Sequence, residues 1–82
     1  MHIPIKLNHY LKEKRKASGL TQMEVSSFLG YPNQQSVNNW ERGAASPPIK
    51  KFKKLLKIYK ISKAEFMSVL MAEIDRSLRH HL

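Results

Sequence analysis

The chain contains no cysteine, which removes disulfides, thiolate zinc sites and cysteine nucleophiles and fits a reducing compartment. Acid is scarce too: six Asp and Glu stand against fifteen Lys and Arg. The carboxylates are scattered, with no pair framed for acid–base work, and no serine sits in a nucleophile elbow or phosphate loop. His2, His9, His80 and His81 lie near the ends, without acidic or cysteine ligands at metal-site spacing. No apolar run approaches the roughly 18 residues of a membrane span. The opening M-H-I-P-I-K-L-N-H-Y interrupts its apolar residues with Pro4, Lys6 and Asn8, so no signal-peptide core is expected. These absences predict a cytoplasmic protein with no catalytic residues, no metal, no cofactor and no membrane partner.

What remains is an 82-residue chain that is 41% hydrophobic and 26% charged. That suits one folded domain, 1–82, with a single modest core. A formal charge of +9 on so short a chain favours a polyanionic partner, nucleic acid first. A solvated basic surface and an anionic membrane surface are the rival readings.

Punctuation residues divide the chain into five expected helices with no strand pattern, an all-α bundle. The first runs from about Ile5 to Ala17, with Leu7, Tyr10 and Leu11 inward and Gly19 as a left-handed C-cap. Thr21 and Glu24 form a capping box for a second helix over about Gln22–Leu29, and Gly30 stops it. Pro32 forces a break, and Asn33 is the expected N-cap of a third helix, Gln34–Arg42, ending at Gly43. Ser46 and Pro47 are read as the start of a fourth helix with a buried stripe of Ile49, Phe52, Leu55, Leu56 and Tyr59. Ser62 and Glu65 make a second capping box, opening a fifth helix from Lys63 to between Ser77 and His80. Part of its stripe closes the core over Leu55 and Tyr59. The remainder, with Phe66, Leu70 and Ile74 as contacts, suggests a dimer interface.

The third helix carries the chemistry. A glutamine donates to one atom and accepts from another, matching adenine N7 and N6–H₂ in the major groove. Gln34 and Gln35 stand in its first turn, and Asn39 shares their face. Asn38 is open between base, sugar and phosphate. Val37 and Trp40 face inward, Trp40 as a core anchor rather than a stacking platform.

The run L-K-E-K-R-K-A-S-G-L-T-Q-M-E-V-S-S-F-L-G, with S-V-N-N-W-E-R-G and S-P-P-I-K-K-F-K-K-L-L-K-I-Y-K-I-S-K-A-E-F, resembles the lambda-repressor-like, XRE-type helix-turn-helix family over Leu7–Phe66. The resemblance implies a five-helix bundle with a helix-turn-helix core over residues 21–43 and the third helix in the major groove. It implies base contacts by Gln34, Gln35, Asn39 and Asn38, and phosphate contacts by Gln22, Asn33, Ser36, Arg42, Lys50 and Lys51. It also implies a partly buried ion pair between Arg15 and Glu41 that holds the recognition helix. Three departures stand out: a turn Gly30–Asn33 one residue longer than usual, Ser26 where alanine is common, and Phe28 where the family is polar. Ser26 fits if its hydroxyl bonds back to a backbone carbonyl. Phe28 either covers the turn or meets a partner.

The expected function is a transcriptional regulator, read first as a repressor, binding double-stranded DNA as a homodimer on a palindromic operator. Antitoxin of a toxin–antitoxin pair, with a toxin or other regulator as protein partner, is one alternative. Phage Cro-like protein, restriction controller, and an adaptor that has lost DNA binding are the others.

Overall fold

A computed structural model describes residues 6–82, in which five α-helices follow one another: α1 (Leu7–Ala17), α2 (Gln22–Phe28), α3 (Gln35–Glu41), α4 (Phe52–Tyr59) and α5 (Lys63–His81). Ile5, the expected start of α1, and His2 lie outside the described residues. No strand occurs among those described.

Local chemistry accounts for the boundaries. Thr21 Oγ1 accepts from Glu24 N at 3.0 Å while Glu24 Oε1 accepts from Thr21 N at 2.9 Å, so the capping box that opens α2 is complete. Ser62 caps α5 with its hydroxyl alone, Oγ accepting from Glu65 N at 3.1 Å. The Glu65 carboxylate turns to Tyr10 and Lys14, so the expected second capping box forms only by half. The first four helices end alike. Leu20 N reaches Arg15 O, Tyr31 N reaches Ser26 O, Ala44 N reaches Asn39 O and Ile61 N reaches Leu56 O, each the long bond of a Schellman motif. Gly19 supplies the left-handed residue after α1 at φ +70, whereas after α4 that place is taken by Lys60 at φ 54.

Three boundaries differ from expectation. Gln34, not Asn33, is the N-cap of α3; Asn33 acts one residue earlier, its Oδ1 accepting from Gln35 N at 2.9 Å. The expected fourth helix does not begin at Pro47. The chain stays extended through Pro48, makes a 3₁₀ turn over Ile49–Lys51, and only then enters α4. Ile49 is therefore 81% exposed instead of heading a buried stripe. Finally, α5 continues to His81.

The core joins Leu7, Tyr10 and Leu11 of α1 to Val25 and Leu29, Val37 and Trp40, Leu55 and Tyr59, and Ile61, Phe66 and Val69. Leu29 and Leu55 are wholly buried, and truncating either to alanine costs about 2–5 kcal/mol by transfer and cavity terms together. Tyr31 fills the longer α2–α3 turn by meeting the Trp40 ring edge-on at 5.8 Å. Phe28 does not cover that turn: it is exposed, facing a groove with Leu20 and Ile58. Phe66 is 2% exposed and packs edge-to-face on Phe52 at 5.0 Å, so it belongs to the core and not to a dimer contact.

α5 is fastened to α1 by polar bonds. The Tyr10 hydroxyl donates to Glu65 Oε2, Lys14 Nζ pairs with the same oxygen at 3.1 Å, and Glu73 Oε1 accepts from Leu7 N at 3.0 Å. No described helix is long and apolar enough to cross a membrane.

Candidate nucleic-acid interface

Glu41 is the hub of the site. Its carboxylate takes a bidentate fork from Arg15, Nε to Oε2 at 2.7 Å and Nη2 to Oε1 at 3.0 Å. The pair lies deep, with side chains 13% and 3% exposed, and the bond to Glu41 holds the Arg15 guanidinium above its usual pKa. Arg15 Nη1 also donates to Leu20 O at 2.8 Å, within the loop that ends α1. The fork thereby ties α1, the α1–α2 loop and the end of α3 together.

From this hub a chain of side-chain bonds runs outward. Gln22 Nε2 donates to Glu41 Oε1 at 3.0 Å, and Gln22 Oε1 accepts from Asn38 Nδ2 at 3.4 Å. Asn38 Oδ1 accepts from Arg42 Nε at 2.9 Å, and Arg42 Nη2 donates to Asn39 Oδ1 at 2.7 Å. Gln35 Nε2 donates to Asn39 Oδ1 at 3.0 Å. Gln22, Gln35, Asn38, Asn39 and Arg42 thus form one array on and beside α3. The link from Gln22 to Glu41 has no signature in the sequence. The two residues are 19 positions apart and meet only because α2 packs on α3.

The other expected contacts stand around this array. Gln34 is exposed at the leading end of α3 and makes no capping bond, Asn33 is exposed beside it, and Ser36 is half-buried. Lys50 is exposed in the 3₁₀ turn. Lys51 is half-buried and already engaged: its Nζ donates to Leu29 O at 2.8 Å and lies 5.0 Å from the Tyr31 ring centroid. It braces the 3₁₀ turn against the end of α2. Ser26 is fully buried with no hydrogen-bond partner for its Oγ, so the expected bond to a backbone carbonyl is not made.

Charge is uneven along the chain. No acidic residue occurs between Glu41 and Glu65, a stretch that holds Arg42 and every lysine from Lys50 to Lys63. Among the described residues none of these cations is in an ion pair; the four pairs use Lys14, Arg15, Arg76 and Arg79. The described residues group no three His, Asp or Glu in a way that would hold a metal ion.

Two short helices joined by a tight turn, with a polar array along the exposed side of the second and an unpaired cationic segment following it, define a DNA-binding helix-turn-helix domain. A family model described as helix-turn-helix matches residues 11–66, and the chain belongs to that family, in its lambda-repressor-like, XRE-type branch of DNA-binding regulators. No curated protein and no solved structure gives a significant match.

Proposed function

We propose that this protein is a sequence-specific transcriptional repressor of the cytoplasm that binds double-stranded DNA as a homodimer on a two-fold symmetric operator. The observation that carries this reading is the array around Glu41, which pre-orders the side chains of α3 before any DNA arrives. Gln34 and Gln35 read adenine edges from the leading end of the helix, and Asn39 reads the next base pair. Lys50 and the other unpaired lysines supply phosphate attraction that is sensitive to salt.

The dimer contact we propose is the outer side of α5. Met67, Met71, Ile74 and Leu78 are all more than half exposed and follow one another at steps of four, three and four residues. That is the repeat of a coiled-coil seam. Leu70, half-buried, borders the stripe, and Phe66 takes no part.

Selecting bound duplexes from a random library tests the reading. The expected product is a palindrome with half-sites one turn, about 34 Å, apart. Recovery of no motif would overturn sequence-specific reading, and a single half-site would overturn the dimer.

One observation favours a second role, that of an antitoxin or partner-bound regulator. Phe28 is 59% exposed at a groove of about 730 Å³ lined also by Leu20, Ile58, Lys57 and Lys60, none of them an expected DNA contact.

A further inference from the structure

An asparagine side chain has one oxygen with two lone pairs and one NH₂ with two donors. At Asn39 both lone pairs are taken: Gln35 Nε2 donates to Oδ1 at 3.0 Å and Arg42 Nη2 donates to the same oxygen at 2.7 Å. The guanidinium of Arg42 also donates through Nε to Asn38 Oδ1 at 2.9 Å, while Asn38 Nδ2 points back to Gln22. Arg42 therefore forks across the oxygens of two neighbouring asparagines, and no carboxylate competes for it among the described residues.

Adenine offers an acceptor at N7 and a donor at N6–H₂, so an amide that reads it needs a free oxygen as well as a free N–H. Gln35 keeps its Oε1 and one N–H, and Gln34 has neither committed to a helix cap. Asn39 has only Nδ2 donors left. A donor-only group matches an edge made of acceptors, and guanine presents two of them side by side, N7 and O6.

We propose that Arg42 is a specificity-determining residue: by filling the amide oxygen of Asn39 it turns that asparagine into a donor-only reader, which selects guanine over adenine at the base pair it faces. This rests on base reading by α3 and departs from the phosphate role that resemblance assigns to Arg42. A phosphate-bound arginine would leave the Asn39 oxygen free and strengthen binding to every sequence alike.

The test is selection from a random duplex library with the full chain, as wild type, Asn39→Ala, Arg42→Ala and Arg42→Met. Asn39→Ala marks the base pair in question as the position where preference disappears. The wild type is expected to select guanine there. Both Arg42 variants are expected to lose about tenfold in guanine-over-adenine preference at that position alone, the size of one good base contact. Arg42 is exposed, and circular dichroism checks that each variant keeps its helices. The proposal is overturned if the wild type selects another base there, or if Asn39→Ala changes no position. It is also overturned if the Arg42 variants keep the whole motif and bind every duplex more weakly, an outcome that leaves base reading by α3 standing. A wild type that selects no motif defeats base reading itself.

Discussion

At the scale of single residues, burial decides which charges matter. Glu41 receives Arg15 twice and Gln22 once, and its backbone oxygen accepts from Asn8 Nδ2 at 3.3 Å. Removing the carboxylate leaves an arginine without its partner in a poorly solvated place. Glu41→Ala is expected to lower stability by about 3–5 kcal/mol. Lys53→Ala, at an exposed position outside any ion pair, should stay within about 0.5 kcal/mol. Denaturant unfolding of both variants makes the comparison, and equal midpoints would contradict the assignment. Ser26 predicts the opposite sign. Its buried, unpartnered hydroxyl costs desolvation with no bond in return, so Ser26→Ala should stabilise the protein by about 1 kcal/mol. A lowered midpoint would show that the hydroxyl has a partner after all. The Arg15–Glu41 pair was legible through resemblance. The Gln22 and Arg42 links were not, because an amide at a surface helix position has no pattern that tells a partner from water.

Helices were legible wherever a cap and a stop bracket them. Thr21 with Glu24, Ser62 with Glu65, and Gly19, Gly30 and Gly43 mark backbone groups that must be satisfied or φ values that must be positive. Pro47 does not mark the start of α4, because proline suits the first turn of a helix and an extended segment equally well, and here the extended segment prevails. Within α5 no glycine or proline marks a stop, and the helix runs on to His81. Its attachment to α1 has a pH signature. Glu65 is held below the ordinary carboxylate range by the Tyr10 hydroxyl first and Lys14 second. Burial first, then Glu65, pushes the Tyr10 phenol upward. A depressed carboxylate stabilises the fold above its ordinary pKa, about 4.3, and loses that contribution as pH falls through the lower folded value. A raised phenol stabilises below about 10 and loses its contribution as pH rises through the higher folded value. The stability difference between wild type and Tyr10→Phe should therefore hold from about pH 5 to 9 and shrink outside about 4 and 10. A difference independent of pH would contradict the Tyr10–Glu65 bond.

At the scale of the whole molecule, composition foretold the polyanionic partner, and the fold arranges how it is met. A buried hub sits behind α3, amides stand at its leading end, and among the described residues the cations after it enter no ion pair. The outer stripe of α5 was only partly legible. Periodicity finds apolar residues, but which of them face the core depends on how α5 crosses α1 and α4, and that put Phe66 inside and Met67 and Met71 outside. The central claim, that the leading end of α3 reads bases, is tested most directly by Gln34→Ala. Its affinity should be measured on the duplex that the wild type selects and on random duplex at the same salt. The account predicts a loss of about 1–3 kcal/mol on the selected duplex and almost none on random DNA. An equal loss on both would mean that Gln34 holds the backbone and reads nothing.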